Sequence, residues 1–387
     1  MQINELSLVN YRSFSDRKII FDKDLTVIIG KNGSGKSNLL EAIALIAGIR
    51  PLRVETELDL VAYGQESAKV SGIIEVDGEK KDLVVNFQIA DRKKVGKSFY
   101  IDNFKKRLID FVQIFSVIDF EPMDLDLVSG SPSLRRKHID KFLSAVEHRY
   151  WRAVSAYGKI VARRNKVLLR ISEGKSKPME LSFWDERFLE YAKYISKVRA
   201  EFFEYLNFVN AGDSALALGH LRSRSQRSVE NFHDVRNSQN PETAPLQVTS
   251  LRNSEFGELS WELKQSTVSA EKLLHNRERD IAAGMTLSGP HRDDFRFIYK
   301  GRDLEFFGSR GQQRMAVLAL KLAELEYFKL KRGVRPILAL DDIFSELDWE
   351  HRETVLSVIG NQQTIITAAE EESVPKEIFK KAKVVRL

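Results

Sequence analysis

The sequence predicts an α/β fold interrupted by an all-helical insertion, and three observations predict it. A short apolar run ends at a glycine-rich loop that opens an apolar-faced helix, residues 25 to 47. A second apolar run, "ILALDD" at 337 to 342, ends in paired acids. Between them lies a long charged stretch whose apolar residues recur at helical spacing.

Leu25, Val27, Ile28 and Ile29 read as a buried strand stopping at Gly30. Leu39, Leu40, Ile43, Ile46 and Ala47 then repeat at helical spacing, with Gly48 as a stop. The loop between them, "GKNGSGKS", matches G-x-x-x-x-G-K-[ST]. A chain of this length shows that pattern by chance roughly once in a hundred, and the flanking strand and helix supply the context it needs. Gly30, Gly33 and Gly35 permit tight turns, so amides along Lys31, Asn32 and Ser34 can point at phosphate oxygens where the helix begins. Lys36 should reach the β and γ phosphates and Ser37 should place its hydroxyl on Mg²⁺, which makes ATP with Mg²⁺ the predicted ligand. The plainer alternative is a flexible glycine turn.

A metal-side carboxylate should lie at the tip of a second buried strand, and Asp341 fills that place. Asp342 beside it could orient the attacking water or accept its proton, so it and Lys36 are the predicted catalytic pair. Two acids merely capping a strand before a turn remain the alternative.

At 387 residues the chain is long enough for two to three domains. It has no cysteine, which removes disulfide, Cys-zinc and iron–sulfur chemistry, and its seven histidines are scattered. A reducing, cytoplasmic setting fits that composition. "MQINELSLVNYRSF" alternates like a strand and lacks a signal-peptide core, and no run approaches a membrane span. The net charge of +6 and pI near 9.2 permit polyanion binding. Basic clusters at 91–97, 104–107, 134–138 and 162–170 are individually ordinary solvated faces but together make an electrostatic track.

In chain order, residues 1–112 read as strands plus the loop helix, with hairpins such as the one turning at Asp77-Gly78. Residues 113–283 read as the helical arm: 134–143, 150–171 and 183–206 are periodic, with Phe188, Tyr191, Ala192, Ile195 and Val198 on one face. That aromatic stripe reads as core rather than as base-stacking platforms. Residues 211–260 are polar and aperiodic, a long surface loop. Residues 284–387 return to α/β texture: a hairpin over 294–307 turning at Lys300-Gly301, a helix over about 311–331, the "ILALDD" strand and a "TIIT" strand at 364–367.

These residues carry a resemblance. "SRGQQRMAVLALKLAELE" (309–326), "LDDIFSELD" (340–348), "RERDIAAGMTLSGPHRDDF" (277–295) and "LDLVSGSPSLRRKHIDKFL" (125–143) resemble the RecF family of recombination mediators, in the SMC-like branch of ABC ATPases. The resemblance implies an ABC-type (SMC-like) P-loop ATPase head with the helical arm inserted. It further implies an ATP-dependent homodimer in which Ser309, Gly311 and Gln312, at the signature motif, close on the nucleotide held by the other copy. Partners by resemblance are double-stranded, gapped DNA together with RecO and RecR, assisting RecA loading in recombinational repair, with no membrane partner. Asp342 is one methylene shorter than the Glu of many related ATPases, so weak, switch-like hydrolysis is expected, well below about 10³ s⁻¹. Arg12 and Arg53 match positions near phosphates or DNA, with plain salt bridges as the alternative. Thr367 falls where many ABC proteins carry a switch histidine, and Gln113 is the candidate metal-sensing glutamine.

His291, in "GPHRDD", reads as part of a hydrogen-bonded turn rather than a catalytic group. The stretch "FSVIDFEPMDLDLV" and the length of the polar loop depart from the family pattern. An anti-phage SMC-like ATPase would need an acidic nuclease-type domain, and only residues 349 to 387 follow the "SELD" loop. A transporter ATPase is disfavoured by the helical insertion, "GPHRDD" and the missing switch histidine.

Overall fold

Three buried runs, Leu25–Ile29, Ile337–Asp341 and Thr364–Ala368, are apolar enough on both faces to form the middle of a parallel sheet, and they do. The computed structural model describes residues 1–48, 56–91, 94–210, 258–346 and 349–387. The polar loop lies almost wholly outside the described residues, as does Arg53.

The strands in chain order are β1 (Gln2–Tyr11), β2 (Phe14–Ile20), β3 (Leu25–Ile29), β4 (Ser67–Val76), β5 (Glu79–Asp91), β6 (Lys94–Ile101) and β7 (Phe104–Lys106). They continue as β8 (Val117–Phe120), β9 (Leu259–Lys264), β10 (Asp294–Tyr299), β11 (Arg302–Asp303), β12 (Ile337–Asp341), β13 (Thr364–Ala368) and β14 (Lys383–Arg386). A five-stranded parallel sheet runs β14-β3-β13-β12-β8, and a six-stranded antiparallel sheet runs β2-β1-β4-β5-β6-β7. The helix Lys36–Ile46 shares one apolar core with both, which is why Leu39, Leu40, Ala42, Ile43, Leu45 and Ile46 are all buried instead of forming a stripe.

Register explains an apparent break in β1. Ile3 and Leu6 are three residues apart, which a regular strand would place on opposite faces, yet both are fully buried. The pairing with β4 slips between Ile3 and Glu5, and that irregularity brings both residues to the core face. Asp77-Gly78 and Lys300-Gly301 turn their hairpins with both residues at positive φ, the twist-matched two-residue geometry.

Contacts divide the chain into Met1–Asp124 with Glu324–Leu387, and Leu125–Ala323. These units differ from the division expected at 112/113 and 283/284, and the edge at 323/324 falls within the helix Arg310–Arg332. Val117–Phe120 pairs with β12 and belongs to the parallel sheet, so the first unit runs past residue 112. In the second unit the helices Pro132–Val146, His148–Ser172 and Leu181–Asn210 appear where periodicity placed them. The stretch expected to be all helical also contains β9, which pairs with β10. Asn207 fixes that sheet to the last helix, its amide donating to the Trp261 carbonyl at 3.0 Å and its side-chain oxygen accepting from the Trp261 amide at 2.8 Å. The hairpin expected over 294–307 is shorter than predicted, because Asp303 caps a helical turn at Leu304–Phe307. Of the stripe read as core, Phe188, Ala192, Ile195 and Val198 are buried and Tyr191 is half-buried.

Candidate nucleotide site

β3, β13 and β12 are neighbours in register: Ala368 lies opposite Ile29 and Thr367 opposite Asp341. Because the strands are parallel, the glycine loop and the acid pair emerge at the same edge, at the carboxyl ends of the strands. Two inter-strand spacings put the ends of β3 and β12 roughly 10 Å apart. Three hundred residues of sequence separation are closed by backbone pairing alone.

The loop is held from within. The Gly30 amide donates to the Ala368 carbonyl at 3.2 Å, and Lys36 Nζ donates to the Gly30 carbonyl at 2.5 Å and the Lys31 carbonyl at 3.2 Å. Gly33 and Gly35 have φ of +85° and +97°, the left-handed region that favours glycine. A Cβ on Gly35 would lie 2.7 Å from the Phe14 ring, so this turn tolerates no side chain. Lys31, Asn32 and Gly33 are exposed, while Lys36 is buried and Ser37 half-buried.

The loop fits a phosphate chain on two further observations. Ser34 Oγ is buried without a hydrogen-bond partner. The helix it leads into has no side-chain cap and no acid in its first turn, leaving its first amides and the positive end of its dipole for an anion. For Mg²⁺, the Ser37 hydroxyl and Asp341 carboxylate are hard oxygen donors. Among the described residues no group of three or more His, Asp or Glu forms a cage for a metal, and Mg²⁺ held by one carboxylate and substrate phosphates needs none.

Asp341 is buried and accepts a hydrogen bond from Thr367 Oγ1 at 2.7 Å. The same Thr367 hydroxyl accepts from the Asp342 amide at 3.0 Å, and Asp342 sits at φ +53°. Sequence reasoning missed this contact. Its signal was two short apolar strands, "ILALD" and "TIIT", each closing on a polar residue.

Arg12 lies at φ +54° and grips Glu41 with two hydrogen bonds of 2.8 and 2.9 Å, while the Tyr11 hydroxyl donates to the same carboxylate at 3.1 Å. Its salt-bridge reading is the one present here. Gln113 does not fit a metal-sensing role. It precedes β8, whose first residue pairs with the first residue of β12, so it sits at the sheet end opposite the glycine loop.

The signature residues belong to the second unit. Ser309 and Gln312 form a reciprocal cap: the Gln312 amide donates to Ser309 Oγ at 3.2 Å and the Ser309 amide to Gln312 Oε1 at 2.9 Å. They open the helix Arg310–Arg332, with Ser309, Arg310 and Gly311 facing solvent. Leu347 and Asp348, the end of the "SELD" loop, lie outside the described residues.

"GPHRDD" is a structural knot. Gly289 has φ +124°, and a Cβ there would meet the Tyr157 hydroxyl at 2.5 Å. His291 uses both ring nitrogens, one with the Tyr157 hydroxyl at 2.8 Å and one with the Thr286 carbonyl at 3.0 Å. Asp293 pairs with Arg199 and Asp294 with Arg135. Arg135 and Arg164 are buried in ion pairs and drop out of the expected basic track; Lys105 and Lys106 of the first unit and Lys137, Arg163, Lys166 and Arg170 of the second are exposed.

The model of the "RecF/RecN/SMC N terminal domain" family matches residues 2–385. The chain is 34% identical to the DNA replication and repair protein RecF of Moorella thermoacetica, over 99% of this chain and 94% of that protein. It is 31% identical to RecF of Bacillus cytotoxicus, over 100% of this chain and 97% of that protein. Among solved structures it resembles the recombination mediator protein RecF in its ATPrS and ATP forms, each at 26% identity and a TM-score of 0.77. The first match covers 97% of this chain and 94% of the solved one.

Proposed function

Since the chain belongs to the RecF family, with the ABC-type ATPase head that fold entails, we propose that it is an ATP-driven switch that retains DNA during recombinational repair. It binds duplex DNA near single-strand gaps as an ATP-dependent homodimer and helps RecO and RecR load RecA. The observation that carries this reading is the meeting of the uncapped glycine loop with Asp341 and Asp342 at one edge of the parallel sheet.

The chain's own groups divide the work. Lys36 and the loop amides from Gly30 to Gly35 hold the phosphate chain, and Lys36 exchanges its carbonyl partners for phosphate oxygens. Ser37 and Asp341 would hold Mg²⁺, which would supply neutralisation of charge on the phosphate chain. Asp342 orients the attacking water and accepts its proton, and its short side chain keeps turnover slow. Ser309, Gly311 and Gln312 of one copy complete the site of the other, so the γ phosphate is a bridge that favours a two-fold dimer. Closing on that phosphate trades the Ser309–Gln312 cap for ligand contacts.

Light scattering with no nucleotide, ADP and ATP, each with and without gapped DNA, tests the switch. Mass doubles with ATP alone and more readily on DNA, and Lys36→Ala abolishes both the doubling and ATP-dependent DNA retention. A mass indifferent to ATP, or full retention by Lys36→Ala, defeats the reading.

A further inference from the structure

We propose that Thr367 is a positioning residue for hydrolysis, one hydroxyl that aims both acids of the site. The inference rests on the reading of this sheet edge as the ATP site. Thr367 is 1% exposed, and its Oγ1 gives its only proton to Asp341 Oδ1 at 2.7 Å while accepting the Asp342 amide at 3.0 Å. Because the side chain is β-branched and sits inside a buried strand, one residue before its end, it has little rotamer freedom, and the hydroxyl stands at a fixed point between the two residues.

Each contact has a separate consequence. A buried carboxylate needs donors, and this one helps orient the Asp341 carboxylate through Oδ1. The contact to the amide helps keep Asp342 at φ +53°, a conformation that non-glycine residues rarely adopt unless the surroundings impose it. The far end of the same turn is tied by Ser345, whose amide and hydroxyl both donate to the Asp342 carbonyl, at 3.2 and 2.8 Å. Thr367 thus anchors the start of the turn and Ser345 its end. The Asp341↔Thr367 register makes the arrangement a property of strand pairing rather than of a loop.

Thr367→Val keeps the shape and removes both hydrogen bonds, whereas Thr367→Ser keeps the hydroxyl. The valine variant should bind ATP without metal as the wild type does, since the glycine loop is untouched, but lose about tenfold or more in kcat at saturating Mg–ATP. Thr367→Ser should restore most of that loss. In the absence of nucleotide, hydrogen exchange of the peptide spanning 338–345 should quicken in Thr367→Val and return toward normal in Thr367→Ser. In an Asp341→Asn background, Thr367→Val should cost little more, because the two act as a unit. If Thr367→Val does not fold, Thr367→Ala carries the same outcomes. Wild-type kcat in the hydroxyl-free variant, unchanged exchange, or additive losses with Asp341→Asn each overturn the proposal. A wild-type protein that fails to bind ATP defeats the functional reading instead.

Discussion

Single side chains in this protein are placed by what they would otherwise leave unpaired. Lys36, Arg12 and His291 each sit in partly or wholly buried surroundings and each finds oxygen partners within 3.2 Å. His291 gives the pH prediction. Burial pushes its imidazole below the usual histidine range, the Thr286 carbonyl pulls the other way, and Arg292, Arg136 and Arg164 add to the lowering. The folded state therefore holds this proton less firmly than the unfolded chain, whose histidine titrates near ~6.5. Its contribution to stability is present above that pH and is lost as the pH falls toward the lowered folded value. Urea unfolding between pH 8 and 5 should show the wild type losing stability on acidification more steeply than His291→Asn. Parallel curves would show that the group is not held neutral.

Elements are fixed by caps and by buried charge as much as by periodicity. The Arg310–Arg332 helix buries Met315, Leu318, Leu322 and Leu325, but every residue from Met315 to Leu325 is buried with them, so the single face their spacing marks is not what burial shows, while Ser309 and Gln312 decide where the helix starts. The helices His148–Ser172 and Leu181–Asn210 are joined by Arg164, which is fully buried and donates to Asp185 and Asp280, each at 2.8 Å. The Thr286 hydroxyl accepts a third bond from the same guanidinium at 2.8 Å. Removing the guanidinium takes the cationic partner from Asp280, itself fully buried, and leaves its carboxylate the Leu287 amide at 3.1 Å. Breaking such a pair from one side costs about 3–5 kcal/mol. Arg164→Leu should lower the stability of the second unit by that order in a thermal or urea melt, and replacing Arg164, Asp185 and Asp280 together by apolar residues should cost less. A loss under about 1 kcal/mol for Arg164→Leu would mean that the carboxylates find other partners.

At the scale of the molecule, two units share one chain, the first built from both ends of the sequence and the second from its middle. Lys105 and Lys106 are exposed in the first unit and Lys137, Arg163, Lys166 and Arg170 in the second, and among the described residues no helix is long and apolar enough to cross a membrane. The proposed DNA binding would be mostly phosphate contact, so affinity should fall at least about a hundredfold between roughly 50 and 200 mM salt. Titration of labelled gapped DNA at both salt concentrations measures it, and a nearly flat response would remove the phosphate track. The glycine loop, the acid pair, the main helices and two hairpin turns were legible in the sequence, because strand runs, helical periodicity and turn residues are local signals. The boundaries at 124/125 and 323/324, the place of Val117–Phe120 in the parallel sheet, the β9–β11 sheet and the fate of Arg135 and Arg164 were not. Four apolar residues read alike as strand or helix until a partner strand is chosen, and a basic residue reads as solvated until a carboxylate more than twenty or a hundred positions away closes on it. Sequence by itself determined which groups could handle phosphate. Only tertiary structure decided that Thr367 touches Asp341, because pairing in register is a relation between distant segments and no local pattern encodes it.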